Sequence, residues 1–195
     1  MPIIFPAPSN MPVMGSAVSR FVGRILLRAT GWKLTGELPN EPKLMIALAP
    51  HTSNWDFVLA LSVILGVGIR VSWLAKHSMF IWPFKGLLTR IGGIPVNRNL
   101  PEGIVEQAVE SFRTHSKQIV AIMPEGTRSK VSRWKTGFLR IAYKAEVPVM
   151  TVSLDFPRKL IKIGPLVKLT GAEDVDLETV KSIIGRSRGK LVDKQ

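Results

Sequence analysis

From Lys43 onward, short β-like apolar runs alternate with helical patterns, and this rhythm narrows the possible architectures more than any other feature. Strands that alternate with helices bury both faces of their sheet, which predicts a single α/β domain with a central mixed, partly parallel sheet flanked by helices. "LMIALA" (44–49) reads as a buried strand, "RVSWLA" (70–75) as a second and "QIVAIM" (118–123) as a third, with "VPVMTVSL" (147–154) and "RKLIKIG" (158–164) following before a basic tail. The glycines and proline of "GGIPVNR" (92–98) make it a short edge or loop strand. Pro101 opens an amphipathic helix carrying Ile104, Val105, Ala108 and Phe112, and a further helix is expected near "TGFLRIAYKAE" (136–146).

At 195 residues, 46% of them hydrophobic, the chain fits one domain with a sizeable core. It has no cysteine and three histidines, which excludes disulfides and thiolate chemistry and leaves no metal site expected. The net charge of +13 attracts phosphorylated substrates, anionic lipid or nucleic acid alike. No RNP-type aromatic motif, zinc-finger spacing or basic-region heptad is present, so no nucleic-acid partner is expected. The apolar run 57–69 is shorter than the roughly 20 residues of a membrane span and suits a buried helix. No signal-peptide pattern opens the chain, so a cytoplasmic protein is expected.

Residues 1–31 divide into an irregular, proline-rich start and a basic amphipathic helix, ahead of a main domain at 32–195. The helix is expected over 13–30, with Met14, Val18, Phe21, Val22, Ile25 and Leu26 along one stripe and Arg20, Arg24 and Arg28 on another face. Two readings stand: a helix lying in an anionic membrane interface, or one docked on its own domain.

Two strand ends carry chemistry, "PHTSNWD" (50–56) and "PEGTRSK" (124–130). His51 and Asp56 stand five residues apart, which on a straight helix separates their side chains by about 140°. They meet only if the chain turns between them, with His51 on a loop and Asp56 in the first turn of the next helix. Thr52, Ser53 and Asn54 are suitable N-caps for that helix. A histidine held by a carboxylate is a good general base, because the acid fixes the tautomer and stabilises the protonated ring. There is no G-x-S-x-G elbow to supply a serine nucleophile, so a bound substrate hydroxyl is the simplest proton donor. If the two strands run the same way, His51, Asp56, Glu125 and Arg128 share one cleft.

"PHTSNWD", "GGIPVNR", "MPEGTRS" and "EVPVMTV", in that order, resemble the four blocks of the glycerolipid acyltransferase family, which includes lysophosphatidate and glycerol-3-phosphate acyltransferases. The resemblance runs from about Trp32 to about Gly164, in a short chain without the long N-terminal helices of many relatives. It implies a glycerolipid acyltransferase-like fold with His51 as general base and Asp56 as its partner. It also implies that Arg98 and the group Glu125, Gly126, Thr127 and Arg128 bind the acceptor, and that Lys76 contacts its phosphate. The reaction so implied moves a fatty acyl group from an acyl thioester, acyl-CoA or acyl carrier protein, to a lysophospholipid hydroxyl such as that of 1-acylglycerol-3-phosphate, with no cofactor. An anionic membrane surface is the expected partner, with the protein peripheral on its cytoplasmic face. Pro50, where many members carry asparagine, and Thr151, in place of a proline, depart from the pattern. Other readings are an acyltransferase with a non-phosphate acceptor lipid and a non-catalytic basic module binding lipid or nucleic acid.

Overall fold

The apolar run at 43–49 lies at the centre of a seven-stranded sheet, and its uninterrupted hydrophobicity follows from burial on both faces. The computed structural model describes residues 6–97, 101–127, 131, 133–185 and 187–191. In chain order the elements are α1 (Ala17–Ala29), β1 (Lys33–Thr35), β2 (Lys43–Ala49), α2 (Trp55–Val67), β3 (Ser72–Lys76), a 3₁₀ turn (His77–Met79), α3 (Phe84–Arg90) and β4 (Gly93–Val96). Then follow α4 (Pro101–Thr114), β5 (Gln118–Ile122), α5 (Gly137–Ala145), β6 (Val149–Asp155), β7 (Leu160–Val167) and α6 (Glu173–Ile184).

The strand order is β1-β7-β6-β2-β5-β3-β4. Strands β6, β2, β5, β3 and β4 run parallel, while β7 turns back antiparallel to β6 and β1 pairs parallel to β7. The expected mixed, partly parallel sheet is therefore present, with "GGIPVNR" supplying the edge strand β4. A tight turn reverses the chain between β6 and β7, where Asp155 Oδ1 accepts the Arg158 N–H at 3.1 Å.

Alternate residues of β2 feed two cores. Met45, Ala47 and Ala49 face α4, α5 and α6, packing with Val105, Ala108, Phe112, Phe138 and Val180. Leu44, Ile46 and Leu48 face α1 and α2, with Leu27, Leu59 and Val67. Each fully buried side chain of this size contributes about 1.5–3 kcal/mol relative to exposure. Three expectations need correction. The C-terminal region is not only a basic tail: it forms α6, whose Glu173, Asp174 and Asp176 occupy the first turn, where the helix dipole favours negative charge. Helix α1 begins at Ala17, where Ser16 and Ser19 make reciprocal capping hydrogen bonds. Helix α2 is not wholly buried, since Trp55, Phe57 and Val58 in its first turn are exposed.

Helix α1 docks through a face distinct from its apolar stripe. Gly23 and Leu27 are buried, and a Cβ at Gly23 would stand 2.4 Å from the Gly66 backbone nitrogen of α2. Only glycine permits this approach. Arg24 Nε donates to the Gly66 carbonyl at 3.0 Å, satisfying a group near the C-terminus of α2. The stripe at Val18, Phe21, Val22, Ile25 and Leu26 remains exposed. Among the described residues, no helix is long and apolar enough to cross a membrane.

Candidate active site

Parallel pairing of β2 with β5 sets Ala47 opposite Ile122, so both carboxyl ends open at one edge of the sheet. Continuing that register by three residues reaches Pro50 on one chain and Glu125 on the other. His51 follows Pro50, and its backbone N–H donates to Glu125 Oε2 at 2.5 Å. Two segments 74 residues apart in sequence are thereby joined at one point.

Between His51 and α2 the chain turns, which resolves the five-residue spacing. Asp56 lies in the first helical turn, wholly buried, and its Oδ2 stands 3.0 Å from His51 Nδ1. The same oxygen accepts the backbone N–H groups of Thr52 at 2.8 Å and Ser53 at 2.9 Å, and Oδ1 accepts the Ser53 hydroxyl at 3.1 Å. The expected side-chain cap is absent: Asn54 occupies the N-cap position without a capping hydrogen bond. Asp56 takes the loop N–H groups instead, because an ionised acceptor binds them more strongly than a neutral amide or hydroxyl.

Burial by itself raises the pKa of Asp56, but the hydrogen bonds from His51, Ser53 and Thr52 outweigh it and hold the carboxyl below the ordinary aspartate value. An ionised Asp56 places the hydrogen of neutral His51 on Nδ1 and leaves Nε2 as the basic nitrogen. The His51 side chain is 16% exposed, so the ring reaches solvent while its partner does not. Glu125 shifts the other way. Its burial raises the carboxyl pKa, the His51 backbone N–H and the charge of His51 offset part of the rise, and the nearby charge of Asp56 adds to it.

The remaining motif residues sit around this pair unequally. Gly126 adopts a left-handed backbone (φ 66°), and its N–H donates to the Met123 carbonyl at 3.0 Å in a tight turn. Thr127 is exposed immediately after it. Lys76, the last residue of β3, is exposed at the same sheet edge, with β5 separating its strand from β2. Arg98 and Arg128 lie outside the described residues. Among the described residues, no group of three or more His, Asp or Glu side chains is placed to hold a metal ion.

Sequence reasoning overlooked two contributors. Lys135 donates its backbone N–H to the Pro124 carbonyl at 2.8 Å, and its side chain covers Gly126 so closely that a Cβ there would meet Lys135 Cδ at 2.9 Å. A cation thus lies against the "PEGT" turn, and the only sequence signal was a lysine shortly before α5. From the C-terminal segment, the Leu191 N–H donates to Thr52 Oγ1 at 3.3 Å and Lys190 Nζ sits 4.6 Å above the Trp55 ring. Nothing in the local sequence marks residues 189–191 as neighbours of the histidine loop.

The sequence profile of the family described as Acyltransferase matches residues 33–155, which contain both loops. Among solved structures, the chain resembles the 1-acyl-sn-glycerophosphate (LPA) acyltransferase PlsC from Thermotoga maritima, with a TM-score of 0.62 and 20% sequence identity. That likeness covers 87% of this chain and 76% of the other, and it bears on the fold. No curated protein matches the chain.

Proposed function

Since the chain belongs to the acyltransferase family, we propose that it transfers a fatty acyl group from acyl-CoA or acyl-acyl carrier protein to the hydroxyl of a lysophospholipid such as 1-acylglycerol-3-phosphate. One observation carries the mechanism: a partly exposed histidine is held at 3.0 Å by a buried, hydrogen-bonded aspartate. In this reading His51 Nε2 removes the acceptor hydroxyl proton as the oxygen attacks the thioester carbonyl. The C–O bond forms, the tetrahedral intermediate collapses with loss of the C–S bond, and the imidazolium returns the proton to the departing thiolate. Asp56 stabilises the imidazolium between these transfers.

Glu125 orients His51 through its backbone, and Arg98, Arg128 and Lys76 hold the acceptor phosphate by charge-assisted hydrogen bonds, with Gly126 and Thr127 shaping the turn. The exposed stripe of α1, with Arg20 and Arg28 beside it, supports a peripheral position on an anionic membrane surface. An acceptor screen followed by thiol release tests the reading. Lysophosphatidate with a long-chain acyl thioester should release thiol and form the diacyl product, and His51→Ala should abolish both in a folded protein. Release with only a non-phosphate acceptor would reassign the acceptor, and wild-type rates in His51→Ala would overturn the mechanism.

A further inference from the structure

No Asp or Glu occurs between Phe57 and Pro101, a stretch that contains Arg70, Lys76, Lys85, Arg90 and Arg98. In its middle, the turn after β3 and helix α3 present Met79, Ile81, Trp82, Phe84 and Leu87 to solvent, Trp82 at 90% exposure. Helix α3 buries none of its residues. An apolar helix that leaves its face uncovered lacks the partner that normally stabilises it.

The segment is nonetheless anchored at its base. Trp73 Nε1 donates to the Ile91 carbonyl at 3.3 Å, and the Trp73 ring packs edge-on against Phe57 at 5.6 Å between centroids. Half-buried Trp73 thereby links the end of α3 to Phe57, which with Val58 is exposed in the first turn of α2 after the histidine loop. The segment lies at the carboxyl end of β3, the sheet edge where His51 and Glu125 meet.

We propose that Met79–Leu87 is a membrane-inserting wedge, in which Met79, Ile81, Trp82, Phe84 and Leu87 enter the headgroup–acyl boundary of an anionic bilayer while Lys85 and Arg90 meet lipid phosphates. The chemistry fits that occupant better than a second protein: the surface combines bulky apolar side chains with cations and lacks acids, and tryptophan favours the headgroup depth. The wedge's place at the carboxyl end of β3 brings the histidine loop to the membrane, where a lipid acceptor enters laterally. This function of the wedge rests on the lipid acyltransfer reading; the binding itself does not.

The test uses the full chain with vesicles of phosphatidylcholine containing roughly one-third phosphatidylglycerol. In sedimentation, Ile81→Ser/Trp82→Ser should lower partitioning by about tenfold or more, and Lys85→Gln/Arg90→Gln by about fivefold per charge at low salt. Brominated acyl chains should quench wild-type tryptophan fluorescence more than that of Trp82→Phe. Turnover on a soluble short-chain acceptor should be unchanged in Ile81→Ser/Trp82→Ser. Equal partitioning of this variant and wild type would overturn the wedge whatever the turnover. A lipid-free wild-type dimer that the variant converts to monomer would reassign the patch to self-association and overturn it as well. Loss of partitioning alongside a wild type that releases no thiol with any acceptor would uphold the wedge and refute the catalytic reading alone.

Discussion

Replacing Asp56 by asparagine keeps the shape of the side chain and removes its charge. With the amide oxygen in the Oδ2 position, His51 Nδ1, Thr52 N and Ser53 N all retain an acceptor, and the amide NH2 faces Ser53 Oγ, which can accept. What disappears is the attraction between carboxylate and imidazolium at 3.0 Å, about 5.5 kcal/mol at an effective dielectric constant of about 20. Because the His51 side chain is 16% exposed, solvent screens part of this, leaving about 3–4 kcal/mol and a fall in kcat of about 10²–10³. Thiol release at saturating donor and acceptor measures it, with acceptor KM little changed. Stability should also fall, by about 2 kcal/mol at pH 7, as charge-assisted hydrogen bonds become neutral ones. Since the folded carboxyl pKa lies below the unfolded value of about 3.9, this stabilisation is present above pH 4 and is lost as pH falls through the folded pKa. Urea unfolding should thus show the gap between variant and wild type closing in strongly acid solution. A folded variant with kcat within about threefold of wild type would refute the role assigned to the pair.

Glu125→Ala removes the hydrogen bond from the His51 N–H to Glu125, at a cost of about 1–3 kcal/mol, and should lower kcat while Glu125→Gln restores most of it; a null effect of Glu125→Ala would dissociate the residue from histidine positioning. Because burial raises the Glu125 pKa, its contribution to stability is present below the unfolded value and lost as pH rises through the folded one, so Glu125→Gln should remove that decline in unfolding measured across mildly acid to neutral pH. Arg98→Ala and Arg128→Ala should each weaken acceptor binding by about 2 kcal/mol and donor binding less, read from the two KM values; equal losses would place both on the donor. Gly23→Val forces α1 away from the Gly66 and Ser62 backbone and should cost about 1–3 kcal/mol in urea unfolding, and wild-type stability would contradict the close approach.

The sheet was legible because its signal is local. A run such as "LMIALA" is apolar throughout only where both faces are covered, whereas its register with β5 is set by the tertiary fold. Helix α4 was legible from Val105, Ala108 and Phe112 at helical spacing, all buried. Strand β1 escaped notice because three residues hold no recognisable period, and α6 because its charged first turn masks Leu177, Val180 and Ile184.

The candidate site divides in the same way. His51 and Asp56 were legible because one short segment, a loop and the first turn of α2, carries both, and a five-residue separation allows pairing only across a turn. Glu125 was named from its motif, but its contact with the His51 backbone exists only because two parallel strands end side by side. Lys135 and residues 189–191 were invisible for a related reason: tertiary packing brings them to the loops, and no period or spacing in the chain records that approach. Sequence alone also left open whether α1 docks or lies in a membrane. Tertiary packing decided that Gly23 and Leu27 face α2 while Phe21 and Ile25 face outward, since only the glycine side admits a neighbouring backbone at 2.4 Å from where a Cβ would stand.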